Sequence, residues 1–110
     1  MKLHTPLLVG AALSLATVGS AATAQENWDL HCAKCHSADG SGTTKTGLKL
    51  KLKDYTKAEN QALFTDAQAL DAIRDGVKNE AGKMTMNPYA EKLTAEEMQA
   101  LVPFVRGLKK

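Results

Sequence analysis

The chain has few large apolar side chains. Only five aromatic residues, one Trp, two Tyr and two Phe, occur among 110 residues. Of the 34 apolar residues that follow residue 24, eleven are alanine, which buries little surface. The chain can therefore form one small domain with a thin core. A bound apolar group held by the chain would supply the missing core mass.

Long apolar runs are also missing, because no stretch reaches the ~20 residues that span a bilayer. The start instead has a short cationic segment, a compact apolar run at Leu7–Leu15 and small residues at Ala22–Ala24. This order predicts a secretory signal peptide over residues 1–24, cut before Gln25. Residues 25–110 are then an exported, periplasmic domain with no stable membrane insertion. A cut two residues earlier and an uncleaved anchor are the alternatives.

The chain lacks an excess of either charge. Fourteen basic residues face twelve acidic ones, with a net charge of +2, so there is no case for nucleic-acid binding. The lysines are nevertheless uneven, since one stretch holds five of them against Asp54 alone: Lys45, Lys49, Lys51, Lys53 and Lys57. This stretch is either a solvated basic loop or a docking surface for an acidic partner protein.

Cysteine is scarce, and its two copies lie three positions apart. Cys32 and Cys35 are followed directly by His36, which gives the pattern C-x-x-C-H. This is the attachment signature of c-type haem. The two thiols add across the vinyl groups of the haem, and the imidazole takes one axial face of the iron. The sequence thus predicts one haem c, iron protoporphyrin IX attached by two thioethers.

Three other uses of the cysteines fit less well. A disulfide is the usual fate of paired cysteines in an exported chain, but the adjacent His36 argues for haem. A thioredoxin-like site needs a strand before the motif, and Glu26–His31 contains no strand-forming run. A structural zinc site needs four ligands, and two cysteines with one histidine leave it incomplete.

The patterning predicts helices around this motif. Residues 26–35 lack Pro, Gly and β-branched types, and Trp28, Cys32 and Cys35 recur at i, i+4 and i+7, on one helical face. His31 then points elsewhere, with a surface role. Residues 45–54 alternate apolar and basic side chains, which favours an extended segment with leucines inward and lysines outward, although a short helix is an alternative.

Two more helices begin with capping-box patterns. Thr65 with Gln68 opens a helix that ends at Gly76 in a left-handed conformation. Thr94 with Glu97 opens the last helix, whose apolar stripe continues through Pro103, where a kink is expected. Phe104 or Val105 of this helix is expected to pack near Trp28.

The second axial ligand of the iron is either a methionine or another imidazole. His31 shares a short helix with His36 and does not easily reach the opposite face. Met98 belongs to the apolar stripe of the last helix, where a methionine is usually core. Met84 and Met86 lie between helices and are hard to explain as core, so the chemistry leaves both open.

Residues 25–110 resemble the small class I cytochromes c of bacteria over essentially their whole length. The matching segments are Cys32–His36, Asp39–Gly42, Ala72–Gly76 and Lys92–Arg106. The resemblance implies an all-α fold, with about three to four helices and loops wrapped around one covalent haem and with crossing first and last helices. In this family the ligand methionine commonly lies about seven residues before the Leu-Thr or Leu-Ser start of the last helix. That spacing favours Met86 over Met84.

The chain departs from the family pattern at two points. Pro103 stands where a small residue is expected in the last helix. No proline follows the attachment motif closely, although relatives often use the carbonyl of such a proline to orient the ligand histidine. The group that accepts a hydrogen bond from the second nitrogen of His36 is therefore open.

With His36 and Met86 on the two faces of the iron, no position is free for a substrate. We therefore expect no enzyme but a soluble single-electron carrier, cycling between Fe(II) and Fe(III) and exchanging electrons with larger redox proteins such as an oxidase, a reductase or a dehydrogenase. One alternative is a haem enzyme or gas-binding sensor with a labile distal methionine. Another is an electron-relay subunit of one dehydrogenase.

Overall fold

The computed structural model describes residues 21–110, so most of the predicted signal peptide lies outside the described residues. Its last residues are described, and there Thr23 caps helix α1 (Ala24–Asn27). The Thr23 hydroxyl accepts from the Glu26 N–H at 3.1 Å, and the Glu26 carboxylate accepts in return from Thr23. The predicted cut before Gln25 falls within this first turn. No helix within residues 21–110 is long and apolar enough to cross a bilayer.

The predicted helix around the attachment motif is present, but it is not α-helical throughout. After α1 the chain forms a π-helical turn, Trp28–Cys32, and then α2 (Ala33–His36). The Ala33 N–H donates to the Trp28 carbonyl five residues back, which is the π pattern. The α-helical period expected for residues 26–35 is therefore wrong, although the structure does bring Trp28, Cys32 and Cys35 to one cavity.

The preferred interpretation of residues 45–54 was wrong, and the alternative of a short helix is correct. Helix α3 spans Lys45–Leu50, because the Thr44 hydroxyl caps it by accepting from the Gly47 N–H at 2.9 Å. Lys51 ends the helix in the left-handed region at φ 54°. Leu48 is 66% exposed, so the leucines do not share an inward face. The two-residue alternation of apolar and basic side chains predicted an extended segment, but the cap formed by Thr44 favours a helix here.

Helix α4 (Ala58–Gln61) is short, and α5 (Asp66–Asp75) follows with the predicted cap. The Thr65 hydroxyl accepts from the Gln68 N–H, and the Gln68 side chain accepts from Thr65 N–H. Gly76 ends α5 at φ 77° and ψ −176°, so its φ is positive as expected but the residue is not in the left-handed helical region.

A small antiparallel hairpin, which the sequence patterns did not reveal, follows α5. Strand β1 (Val77–Lys78) pairs with β2 (Met84–Met86), with Val77 opposite Met86 and an irregularity in register beside it. The turn is closed by Asn79, whose backbone N–H donates to the Lys83 carbonyl at 2.9 Å and whose side chain accepts from the Lys83 N–H.

The last helix, α6 (Ala95–Arg106), supplies half of the buried core. Its cap is the predicted one, with the Thr94 hydroxyl accepting from the Glu97 N–H at 3.1 Å. The helix continues through Pro103, which lies on the exposed side. The eight buried apolar residues form one cluster: Trp28, Ile73, Tyr89, Leu93, Met98, Leu101, Val102 and Val105.

The first and last helices pack together as expected. The Trp28 and Phe104 rings have centroids 5.4 Å apart, and the Asn27 amide donates to the Glu97 carboxylate at 2.9 Å. Met98 is 7% exposed and belongs to the core, as its helical spacing predicted. The prediction of an all-α fold is confirmed, and within residues 21–110 the short helix α4 and the hairpin are added to the predicted elements.

Candidate haem site

A cavity of about 630 Å³ is the central feature of the molecule. Its walls come from the attachment helix, from the segment after α3, from α5 and from the segment that follows the hairpin turn. Leu52, Phe64, Ile73, Leu101 and Val105 supply apolar surface to it. A cavity of this size and lining suits a largely apolar ligand.

The two predicted attachment cysteines both line this cavity, and neither forms a disulfide. Burial, together with the nearby Cys35, raises the pKa of the Cys32 thiol to about 11. Cys32 is therefore protonated at neutral pH. A reactive thioredoxin-like cysteine needs a lowered pKa instead, so this environment does not favour that use of the motif.

His36 also lines the cavity, and its ring lies beside two aromatic rings. The Trp28 centroid lies 5.7 Å from that of His36, and the Tyr55 centroid lies 5.4 Å away with the planes 29° apart. Burial lowers the pKa of His36, so the imidazole is neutral at pH 7, the form that binds metals. Its Nδ1 is buried and has no hydrogen-bond partner within residues 21–110.

The backbone of the attachment motif is fixed by the loop that follows it. The Thr44 hydroxyl donates to the Cys35 carbonyl at 2.7 Å, and the Gly42 N–H donates to the His36 carbonyl at 2.8 Å. Gly47 lies so close that a Cβ on it would be 2.6 Å from the Cys35 carbonyl oxygen. Gly47 therefore permits this close approach of helix α3 to the attachment motif, because any side chain there would clash.

A buried polar network supports the wall that carries Tyr55 and Phe64. The Gln61 amide, 7% exposed, donates to the carbonyls of Tyr55 and Val105, each at 2.8 Å. The Arg106 guanidinium donates to Gln61 and to the Phe64 carbonyl, and it lies 4.3 Å above the Phe64 ring. Through Gln61, helix α6 is thus tied to the backbone of Tyr55, whose ring stacks on His36.

The two candidate methionines have different surroundings. Met86 lines the cavity and packs against the core cluster, whereas Met84 is 37% exposed and does not line the cavity. Met84 lies instead against Gly76, with its Cε 3.0 Å from where a Cβ would be. The Met86 carbonyl and the Pro88 nitrogen also lie against Gly76. The end of α5 therefore constrains the backbone path from Met86 to Pro88.

His31 and Tyr89 were not predicted to belong to the site. His31 lines the cavity and is half-buried rather than on the surface, because the π turn changes its direction relative to an α-helix. Tyr89 is 8% exposed and lies edge-on against the His31 ring, with centroids 5.5 Å apart. Tyr55, Phe64 and Gln61 were also missed, because tertiary packing brings them to the site and no local motif marks them.

The five lysines of the basic stretch are all exposed. Two of them, Lys51 and Lys53, also line the rim of the cavity. Lys45 and Lys49 lie on α3, and Lys57 precedes α4. The stretch is therefore solvated, and part of it borders the site.

These residues fit a covalently bound haem. One cavity presents two free thiols three residues apart, a neutral imidazole directly after them, and the thioether of Met86 on another wall. Cys32 and Cys35 would form the two thioethers, and His36 would bind the iron. The apolar walls would cover the macrocycle.

Comparison with known proteins agrees with this site. The family model for cytochrome c matches residues 21–109. The solved KustC0563 c-type cytochrome is 37% identical, covers 81% of this chain and 100% of its own, and superposes with a TM-score of 0.71. A tyrosine-to-phenylalanine mutant of Kustc0563 is 36% identical, covers 80% of this chain and 100% of its own, and has a TM-score of 0.68. No curated protein matches the chain.

The chain belongs to the cytochrome c family. Family membership makes it a haem c electron-transfer protein and implies that the haem is covalently bound through Cys32 and Cys35. The resemblance drawn from the attachment motif, the middle helix and the last helix is thereby confirmed.

Proposed function

We propose that the protein is a soluble, non-enzymatic carrier of single electrons whose one haem iron is ligated by His36 and Met86. The observation that carries this proposal is the position of Met86, which lines the same cavity as Cys32, Cys35 and His36. The haem supplies a reversible one-electron change between Fe(II) and Fe(III). The chain supplies the two ligands and covers most of the cofactor from water.

The residues around the cavity suit this role. His36 is neutral and packs beside the Trp28 and Tyr55 rings, so its direction is set before the iron binds. Apolar walls exclude water, which disfavours charge on the buried iron and raises the reduction potential, as a methionine ligand also does. These properties favour outer-sphere electron exchange.

The ligand assignment is tested with carbon monoxide, which binds ferrous haem only at a free axial position. We expect the reduced unmodified protein and Met84→Ala to ignore carbon monoxide at neutral pH, and Met86→Ala to bind it. Met84→Ala is a matched control, because it removes the same side chain two residues away. Conversion by Met84→Ala alone would show that Met84 is the ligand. Binding by the unmodified protein would instead favour the haem enzyme or gas sensor.

We also propose that the protein docks with an acidic redox partner through the basic stretch defined by Lys45, Lys49, Lys51, Lys53 and Lys57. Exposure of all five side chains supports this, as does the place of Lys51 and Lys53 at the cavity rim. Raised salt should slow electron exchange with the partner. Lys53→Glu should slow it at low salt more than Lys109→Glu, which changes the net charge equally. Equal effects, or no salt dependence, would contradict this docking surface.

Export to the periplasm is the third part of the proposal and rests on the sequence of residues 1–24. The exported chain should begin at Gln25 and be heavier than the polypeptide by one haem, even after denaturation. Intact-mass measurement of the periplasmic fraction tests both statements. An unprocessed chain in the membrane fraction would contradict the cleavage, and an added mass of zero or two haems would contradict the cofactor count.

A further inference from the structure

Tyr89 connects two walls of the cavity that are far apart in the chain. Its hydroxyl donates a hydrogen bond to the His31 carbonyl at 3.0 Å, across 58 positions of sequence. Its ring lies edge-on against the His31 ring, and its backbone N–H donates to the Ile73 carbonyl at 2.9 Å. One residue therefore holds the chain just after Met86 to the turn that carries Cys32 and to the end of α5.

Apart from Tyr89, the segment that contains Met86 is held by the packing of Met86 on the core, by the close approach of Gly76 and by the short hairpin. Strand β2 pairs only with the two-residue β1, whose Val77 is 41% exposed. Asn87 and Pro88 are exposed, and the Thr85 hydroxyl makes a bond of 3.2 Å to Val77 within the same hairpin. Tyr89, at 8% exposed, is the nearest buried anchor after Met86.

The hydroxyl of Tyr89 is a stable donor for the hydrogen bond to the His31 carbonyl. A tyrosine hydroxyl is protonated at neutral pH, and burial raises the pKa of Tyr89 further, so the hydroxyl remains a donor. The acceptor is a backbone carbonyl in the π turn, one residue before Cys32, and is fixed by the attachment helix. Because both partners are held in place, this hydrogen bond fixes the distance between the two segments, which a bond to a mobile side chain would not do.

We propose that Tyr89 is a positioning residue that holds Met86 at the iron by tying the methionine segment to the attachment turn through the bond from its hydroxyl to the His31 carbonyl. This proposal rests on the proposed His36 and Met86 ligation. Loss of the hydroxyl frees the segment to move away from the cavity, and the thioether then leaves the iron more often. The ring, its contact with His31 and its backbone bond to Ile73 all remain in Tyr89→Phe.

The experiment measures the rate at which the oxidised, haem-loaded protein binds added imidazole, because imidazole can reach the ferric iron only after the methionine has left it. We expect Tyr89→Phe to raise this rate on the order of five-fold, the equilibrium factor that corresponds to one typical net hydrogen bond. The matched control is Thr85→Val, which also loses one hydroxyl hydrogen bond but only within the hairpin. Its rate should remain that of the unmodified protein.

An unchanged rate in Tyr89→Phe overturns the proposal. An equal rise in Thr85→Val also overturns it, because any loosening of the hairpin would then have the same effect. The double variant Met86→Ala with Tyr89→Phe separates the proposal from the function on which it rests. With the thioether gone, Tyr89→Phe should add nothing further.

A further rise in the double variant would show that Tyr89 acts through something other than Met86 and would overturn its positioning role. If Met86→Ala alone leaves the protein unable to bind carbon monoxide, the ligand assignment fails and the positioning proposal fails with it. If Met86→Ala binds carbon monoxide and Tyr89→Phe binds imidazole no faster than the unmodified protein, only the positioning proposal fails.

Discussion

The attachment segment and the methionine segment line the same cavity, but they are held in different ways. The attachment segment, Trp28–His36, is helical, and its anchor Trp28 is 2% exposed. The Trp28 indole N–H donates to the carbonyls of Ser37 and Ala38, at 3.2 and 3.1 Å. The methionine segment, Met84–Tyr89, is a short strand and a loop, and most of its residues are exposed or half-buried.

Because of this difference, we expect substitutions in the two segments to affect different properties, the stability of the fold in one and the ligation of the iron in the other. A substitution of Trp28, the buried anchor of the attachment segment, removes core packing, so it should lower the free energy of unfolding more than it changes the iron ligands. A substitution in the methionine segment removes little buried surface, so it should affect ligation at a smaller cost in stability. Low-stability segments of this kind can open locally while the rest of a protein stays folded.

The largest effect is expected for Trp28→Ala. Removing this side chain from the core should lower the free energy of unfolding by about 3–5 kcal/mol, as buried Trp-to-Ala and Phe-to-Ala substitutions do. Urea titration of the haem-loaded protein measures the loss, and the folded fraction should keep its methionine–iron absorption band. A loss below about 1 kcal/mol would show that Trp28 is not the anchor.

A smaller change in stability but a larger change in ligation is expected for Gly76→Ala. The added Cβ would meet the Met86 carbonyl and would lie 2.9 Å from the Pro88 nitrogen, and φ is 77°. We expect a cost of about 1–3 kcal/mol and carbon monoxide binding by the reduced protein. Gly82→Ala is the matched control, since its φ is 80° but a Cβ there meets nothing within 4 Å.

Gly82→Ala should show the backbone strain without carbon monoxide binding. If both alanine variants bind carbon monoxide, strain in the hairpin rather than displacement of Met86 explains the change. If neither does, the close approach at Gly76 does not set the ligand position, and the contrast between the two segments is weaker than proposed.

The smallest effect concerns the link between α1 and α6. The Thr94 backbone N–H and the Asn27 amide donate to Glu97 and lower its pKa from the usual 4.5. A carboxylate with a lowered pKa stabilises the fold above pH 4.5, and this contribution is lost as the pH falls through the lower, folded-state pKa. Glu97→Gln should therefore flatten the acid side of the stability profile, measured by urea titration at several pH values. An unchanged slope would contradict this link.

Sequence reasoning worked where a local rule fixes the outcome. The three residues Cys32, Cys35 and His36 are an attachment signature at any position in a fold, and the caps Thr65 and Thr94 satisfy backbone donors of their own first turns. These features depend on neighbours within a few positions. The family and its helical fold followed from them.

Sequence reasoning failed where distant residues decide the structure. Nothing in the pattern around Tyr55 shows that its ring stacks on His36, since its backbone is positioned by Gln61, which is itself bonded by Arg106 of the last helix. The hairpin was missed because β1 has only two residues. The alternation at 45–54 suggested extended backbone, yet the Thr44 cap and the tight approach of Gly47 to Cys35 formed a helix.

The π turn at Trp28–Cys32 bears on chain length. A π turn holds one residue more than an α turn, so it is equivalent to a one-residue insertion in the first helix. Deleting Asp29 or Leu30, both exposed, would therefore restore an unbroken α-helix with Trp28 and Cys32 three positions apart. Residues three apart lie on the same face of an α-helix, so the indole would stay in the core and the thiols would stay at the cavity. The wide turn is thus a local bulge that accommodates one extra residue while the core anchor and the cofactor attachment keep facing the same side.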